Sequence, residues 1–181
     1  MALEGGARWI QLRAKNLSEP EWIQVAQEVA HLCKDYGATL IINDSPWVAY
    51  KVEADGVHLG PHDCSPVEAR KILGEYAILG VTLNNLNHLE VLKSARVDYA
   101  GVGPVRFTSS KKNLAPVHTD ESLKELIKKA SVPCYAIGGV TAKDWPNLRL
   151  LGAQGIAVSG AIALADDPIQ ATQEIVSALS L

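Results

Sequence analysis

TLIINDSPW, residues 39–47, is the stretch on which the reading of the fold turns. Four β-branched or aliphatic residues, Thr39 to Ile42, run directly into Asn43 and Asp44. A buried strand gains nothing from ending in two adjacent polar side chains. An amide and a carboxylate at that point either begin the next helix or face something beyond the strand. The other strands of the chain bear on that choice.

Short apolar runs recur at 9–13, 39–43, 56–60, 77–82, 99–104, 133–138 and 155–159. They are rich in Val, Ile and Leu with little polar alternation, the pattern of strands buried on both faces of a parallel sheet. Helix-length amphipathic stretches separate them. The segment 18–36 opens with Ser18, Pro20 and Glu21 and is stopped by Gly37, a capping box with proline in the first turn and a glycine after the last. Further helices are expected at 46–54, 65–73, 86–95, 119–130, 141–151 and 166–180. Ser65-Pro66, Thr119-Asp120 and Asp167-Pro168 serve as starts. Strand–helix alternation of this kind is α/β. An open doubly wound sheet and a closed barrel both fit it. The repeat of ~20–30 residues suits the barrel, and no GxGxxG follows a strand, which disfavours the dinucleotide-binding version. Seven strands are counted, one short of the usual eight.

The 181 residues suit a single domain spanning 1–181. The composition, 48% hydrophobic and 20% charged, is ordinary for a soluble globular protein. A net charge of −3 supplies no basic face for nucleic acid, and no apolar run approaches the ~18 residues of a membrane span. Cys33, Cys64 and Cys134 are odd in number and widely spaced. They read as small buried filler in a protein of the reducing cytoplasm, not as a disulfide framework or zinc site.

Every strand ends in polar or glycine residues. The first leads into Gln11, Arg13 and Lys15, the second into Asn43 and Asp44, the third into His58 and Asp63. The fourth carries Thr82, the fifth opens toward Thr108, Ser110 and Lys111, the sixth ends in Gly138 and Gly139, and the seventh in Ser159 and Gly160. At any one position helix capping is an even competitor, and Asp44 before Ser45-Pro46 suits a cap. Seven such endings on one face are harder to explain that way, because in a parallel barrel that face carries the active site. Arg13, Lys15 and Lys111 supply positive charge. Glycines at the last two strand ends let a phosphate reach backbone N–H groups. Asp44 and Asp63 are hard oxygen ligands, and two carboxylates with phosphate oxygens are how Mg²⁺ is usually held. The set suits a Mg²⁺-bound diphosphate.

IQLRAK (10–15), LIINDSPWVA (40–49), ADGVHLGPHD (54–63), LGVTLNN (79–85), DYAGVGPVRFTSSKK (98–112), PCYAIGGV (133–140) and GAQGIAVSGAI (152–162) resemble the motifs of the thiamine-phosphate synthase family, in the family's order and over nearly the whole chain. The resemblance implies a TIM-type (β/α)8 barrel. It also implies a transferase that joins hydroxymethylpyrimidine diphosphate to hydroxyethylthiazole phosphate, releasing pyrophosphate, with Mg²⁺ as cofactor. Under that resemblance Gln11, Arg13, Lys15 and Asn43 hold the pyrimidine diphosphate, and Asp44 and Asp63 ligate Mg²⁺. Thr82 lies near the reacting carbon. Thr108 and Ser110 bind the thiazole phosphate with N–H groups of Gly139, Val158 and Ser159, and Lys111 contacts the leaving diphosphate. Arg13, Lys111 and Thr82 are the implied catalytic residues. His58 reads as a packed strand histidine and His62 as a loop side chain.

Two departures stand out. Arg106-Phe107 occupies the place of an aromatic–proline pair, and Ser110 that of a threonine. The nearest rival is the paralogous thiazole tautomerase, whose catalytic histidine position is Pro104 here. A non-catalytic phosphate-binding relic of the fold is the other. The family opens with a strand and a helix whose last turn resembles ALEGGA (2–7), so the barrel's first βα unit is expected to be absent. A truncated start is the favoured reason, and cover from a second copy, a homo-oligomer, comes second.

Overall fold

A computed structural model describes residues 1–108 and 115–180. Seven strands follow one another in sequence order, β1 to β7, and every described pairing is parallel. Two units are distinguished. The N-terminal unit is Arg8–Val81 with Lys93–Asp98. The C-terminal unit is Met1–Ala7, Thr82–Leu92 and the described residues from Tyr99 onward.

The N-terminal unit holds β1 (Trp9–Leu12), α1 (Glu19–Asp35), β2 (Thr39–Asn43), α2 (Pro46–Lys51), β3 (Gly56–Leu59), α3 (Pro66–Leu73) and the start of β4 (Ile78–Leu83). Glu21 accepts hydrogen bonds from the Ser18 N–H and hydroxyl at 2.8 and 2.6 Å. Glu68 receives the same pair from Ser65, both at 2.8 Å. Both helix starts thus form as their sequence spacing predicts. Leu40, Ile41, Ile42, Val57 and Leu79 are buried from the strands, and Ala26, Val48 and Ala69 from the helices. Each such leucine or isoleucine contributes about 1.5–3 kcal/mol. Gly56 is required by close approach, since a Cβ there would lie 2.0 Å from the Ile78 carbonyl oxygen. A buried Arg70 closes the unit at the strands' N-terminal ends. It donates to the carbonyls of Gly74, Glu75, Ala77 and Arg96 and to Asp98, which also accepts from the Leu79 N–H at 2.8 Å.

The C-terminal unit holds the end of β4, β5 (Tyr99–Val102), α4 (Asp120–Lys129), β6 (Cys134–Ile137), α5 (Trp145–Leu150), β7 (Gly155–Ala157), α6 (Gly160–Ala163) and α7 (Pro168–Leu179). Asp167 caps α7 by accepting from Ile169 and Gln170 N–H groups at 3.0 Å. Leu123, Leu126, Leu148 and Ile175 face inward. Residues 1–7 form a turn. The Ala7 N–H bonds to the Ala2 carbonyl, the Gly6 N–H to that of Leu3, and Gly6 has φ 101°, a Schellman motif of the kind ALEGGA predicts. Gly5 fits against α7, where a Cβ would meet Thr172 Cβ at 2.5 Å.

Several boundaries differ from expectation. Residues 86–95 form a 3₁₀ segment, Leu86–Lys93, in place of the expected α-helix, and Asn85 Oδ1 accepts the N–H groups of Asn87 and His88 at its start. The helix expected at 141–151 is split into a 3₁₀ turn, Ala142–Asp144, and α5, since Pro146 is tolerated only in a first turn. The helix expected to reach 54 ends at Lys51, with Glu53 at φ 52° and the Ala54 N–H returning to Ala49. β1 is less buried than a two-sided core strand, and its exposed and half-buried residues alternate. The strand expected at 155–159 stops at Ala157, because Ser159 turns the chain into α6 and its carbonyl accepts from Ile162 and Ala163.

Candidate active site

In the N-terminal unit the strand ends place Asn43, buried, as the last residue of β2 and Asp44 immediately beyond it. Asp44 is not the cap of α2. Ser45 is, accepting the Val48 N–H at 3.2 Å. Asp44 instead has φ 70°, a left-handed conformation that aspartate tolerates but does not favour. Its N–H is fixed on the His58 carbonyl of β3 at 2.8 Å. The side chain so aimed meets two groups. Lys15 Nζ lies 2.9 Å from its Oδ2, and the Asp63 carboxyl is hydrogen-bonded to it. Burial first, and then this hydrogen bond, hold the Asp63 carboxyl above the usual carboxylate range, while the Gly60 N–H and Lys15 pull the other way. The Gly60 N–H donates to Asp63 Oδ2 at 2.7 Å and orients it. Two carboxyl groups in contact beside an ammonium are a donor set that a divalent cation fits, because its charge offsets the repulsion between them. Among the described residues no cluster of three His, Cys, Asp or Glu is arranged for a metal. Gln11 on β1, with Arg13 and Lys15 beyond it, is exposed to solvent. His58 is buried within β3, as a packed strand histidine should be, and His62 is an exposed loop residue.

In the C-terminal unit Thr82 is buried near the end of β4. Thr108 is half-buried beyond β5, and Ser110 and Lys111 lie outside the described residues. The segment after β5 runs beside the turn after β6. The Val105 N–H bonds the Ile137 carbonyl at 3.0 Å and the Arg106 N–H bonds that of Gly138 at 2.9 Å. Gly138 and Gly139 have φ 93° and 65°. A Cβ on the first would meet Pro104 Cβ at 2.7 Å, and on the second Arg106 Cβ at 2.8 Å and the Phe107 carbonyl at 2.9 Å. Only glycine meets both demands. Farther on, the His118 N–H returns to the Pro104 carbonyl, and its ring lies 3.0 Å from both Ser122 Oγ and the Asn84 carbonyl. Val158 and Ser159 follow β7 and lead into α6.

Sequence reasoning noted Arg106 only as a departure and passed over Asp144. The two form a two-pronged ion pair. Arg106 Nη1 lies 2.6 Å from Asp144 Oδ2, and Nη2 contacts Oδ1. The guanidinium holds the Asp144 carboxyl below its ordinary range, burial opposes this, and the Thr141 N–H and hydroxyl add to the lowering. The available signal was the spacing of Thr141 and Asp144, three residues apart as in a capping box.

A family model described as thiamine monophosphate synthase matches residues 1–162. The chain belongs to the thiamine monophosphate synthase family. It is 45% identical over 182 residues to the thiamine-phosphate synthase of Phocaeicola vulgatus, a match covering 98% of this chain and 88% of that one. To the Bacteroides fragilis thiamine-phosphate synthase it is 44% identical, covering 98% and 89%. The solved thiamine phosphate pyrophosphorylase of Pyrococcus furiosus superposes with a TM-score of 0.89 at 32% identity, over 99% of this chain and 86% of that one. The fold is therefore TIM-type α/β. As a member of the thiamine monophosphate synthase family, the chain is a transferase that makes thiamine phosphate. Among the described residues no helix is long and apolar enough to cross a membrane.

Proposed function

We propose that this family member condenses hydroxymethylpyrimidine diphosphate with hydroxyethylthiazole phosphate, with Mg²⁺ held by Asp44 and Asp63. The observation that carries the reading is the Asp44–Asp63 carboxyl contact beside Lys15. That contact is costly without a cation and is ready-made for a cation bringing a diphosphate. When bound, Mg²⁺ supplies positive charge against the leaving diphosphate. Gln11, Arg13, Lys15 and Asn43 hold the pyrimidine diphosphate, and Arg13, Lys15 and Lys111 neutralise charge as the bond from the methylene carbon to the diphosphate oxygen breaks. The electron pair leaves with pyrophosphate, and a pyrimidine-stabilised cation remains at the carbon, near Thr82. The thiazole nitrogen then donates its lone pair to that carbon. It carries no proton, so no general base is required. Thr108, Ser110 and the N–H groups of Gly139, Val158 and Ser159 hold the thiazole phosphate throughout. The free thiols Cys33, Cys64 and Cys134 suit a cytoplasmic setting, and one domain over 1–181 is part of the same reading.

The test is incubation with both phosphorylated substrates and Mg²⁺. Thiamine phosphate is expected to form, and its absence from folded protein overturns the reading. Thiazole isomerisation is not expected, because Pro104 has no group that can carry a proton. Isomerisation at rates rivalling synthesis would favour the tautomerase instead.

A further inference from the structure

We infer that Arg106, locked by Asp144, is a positioning residue that aims the N–H groups of Gly139 and Val140 at the phosphate of the thiazole substrate. The inference rests on the synthase reading and assigns a residue that reading leaves out. Its basis is the direction of successive peptide units. In a trans peptide the carbonyl of one residue and the N–H of the next point in opposite directions. The Gly138 carbonyl accepts from the Arg106 N–H at 2.9 Å, and the Gly139 carbonyl faces Arg106 Nη1 at a long 3.5 Å. Both carbonyls therefore turn toward Arg106, and the N–H groups of Gly139 and Val140 turn away from it. Among the described residues neither N–H has an acceptor. Two successive N–H groups aimed to one side of a left-handed turn form a concavity for an anion.

Asp144 sets the far end of the same turn. Its Oδ2 accepts from the Thr141 N–H at 2.8 Å and from the Thr141 hydroxyl at 3.1 Å while it pairs with the guanidinium. The run 138–141 is thus tied at Gly138, Gly139 and Thr141 to one arginine–aspartate unit, and the N–H groups of Gly139 and Val140 are fixed between those ties. The guanidinium's two terminal nitrogens are engaged by the Asp144 carboxylate, with Nη1 also facing the Gly139 carbonyl. A planar fork is needed for this, since it must engage both carboxylate oxygens and still face the Gly139 carbonyl, and a lysine cannot do that.

The test compares wild type, Arg106→Leu, Arg106→Lys and Asp144→Asn in steady-state synthesis, varying each substrate at saturating Mg²⁺ and the other substrate. Thermal midpoints are recorded alongside. For Arg106→Leu the KM for the thiazole phosphate is expected to rise roughly tenfold or more, the scale on which partners that orient a binding group are felt. The KM for the pyrimidine diphosphate should change less than about twofold. Arg106→Lys is expected to fall between wild type and Arg106→Leu. Calorimetric titration of the folded variants with the thiazole phosphate alone should show the same loss in affinity. An unchanged thiazole phosphate KM and affinity in folded Arg106→Leu, or an equal rise in both KM values, would overturn the inference. If wild type makes no thiamine phosphate, the synthase reading fails on its own, and the titration still decides whether Arg106 governs phosphate binding.

Discussion

Two arginine–aspartate pairs, one in each unit, have the same chemistry and opposite settings. In the N-terminal unit Arg70 and Asp98 have side chains only 7% and 26% exposed. They lie where β4 begins and where the chain approaches β5, and Arg70 spends its donors on the backbone carbonyls of Gly74, Ala77 and Arg96 as well as on Asp98. In the C-terminal unit Arg106 is 55% exposed and Asp144 9%. They lie beyond the ends of β5 and β6, beside a turn with two N–H groups that have no acceptor among the described residues. In parallel α/β folds of this type, strand beginnings carry stability and strand endings carry chemistry. The first pair should be felt in folding and the second in substrate binding.

Breaking the first pair should have the largest effect. Arg70→Leu takes the buried guanidinium from the Asp98 carboxylate, which keeps only the Leu79 N–H and the exposed Arg96, and removes a donor from several backbone carbonyls. A loss of about 3–5 kcal/mol is expected, as for removal of one member of a buried pair. Urea unfolding measures it, and turnover per folded molecule should stay within about twofold. A variant as stable as wild type would show that water replaces the guanidinium, and the contrast between the pairs would collapse.

Asp44→Asn sharpens the contrast from the other side. Asparagine tolerates the left-handed φ of 70° as aspartate does, so folding should change little. The charge offered with Asp63 is halved, and synthesis at limiting Mg²⁺ should fall roughly 100-fold or more, the scale for losing one preorganised electrostatic group. Near-normal turnover at limiting Mg²⁺ would remove Asp44 from the metal site.

Gly139→Ala tests the second pair through the turn it holds. A methyl group would be forced to 2.8 Å from Arg106 Cβ at φ 65°, costing about 1–3 kcal/mol. The thiazole phosphate KM should rise with little change for the pyrimidine substrate. Equal changes for both would mean that the turn serves folding only.

How much of this contrast was legible in the sequence follows from what kind of signal each part leaves. Strands such as 39–43 and caps such as Ser18–Glu21 are written in local pattern, and their placement was predictable. So were the strand-end positions of Asn43 and Asp44 in one unit and of Thr82 and Gly139 in the other, because each follows directly on an apolar run. The Arg106–Asp144 pair was not legible, since 38 residues separate its members and nothing local marks a guanidinium as reaching one turn and not another. The Asp63–Asp44 hydrogen bond was missed for the same reason, although both residues were named as ligands. The 3₁₀ character of Leu86–Lys93 was not legible, because its amphipathic pattern reads as an ordinary helix and nothing local marks the tighter winding.

The smallest expected effect concerns acid. Arg106 and the Thr141 donors hold the Asp144 carboxyl below its ordinary range in the folded protein. The unfolded chain has no such partners, so there the group titrates near about 4. A depressed folded value means that the unfolded state binds the proton first as pH falls. The pair's contribution is therefore present in full above the unfolded value and is lost as pH drops through the folded one. Since Arg106 is more than half exposed, solvent screening limits the amount to about 1 kcal/mol or less. Comparing urea midpoints of wild type and Arg106→Leu at pH 7 and pH 3 measures it. The two proteins should differ slightly at pH 7 and converge toward pH 3. A gap that widens in acid would mean that the pair does not hold Asp144 ionised, and a gap of several kcal/mol at pH 7 would make the second pair as structural as the first.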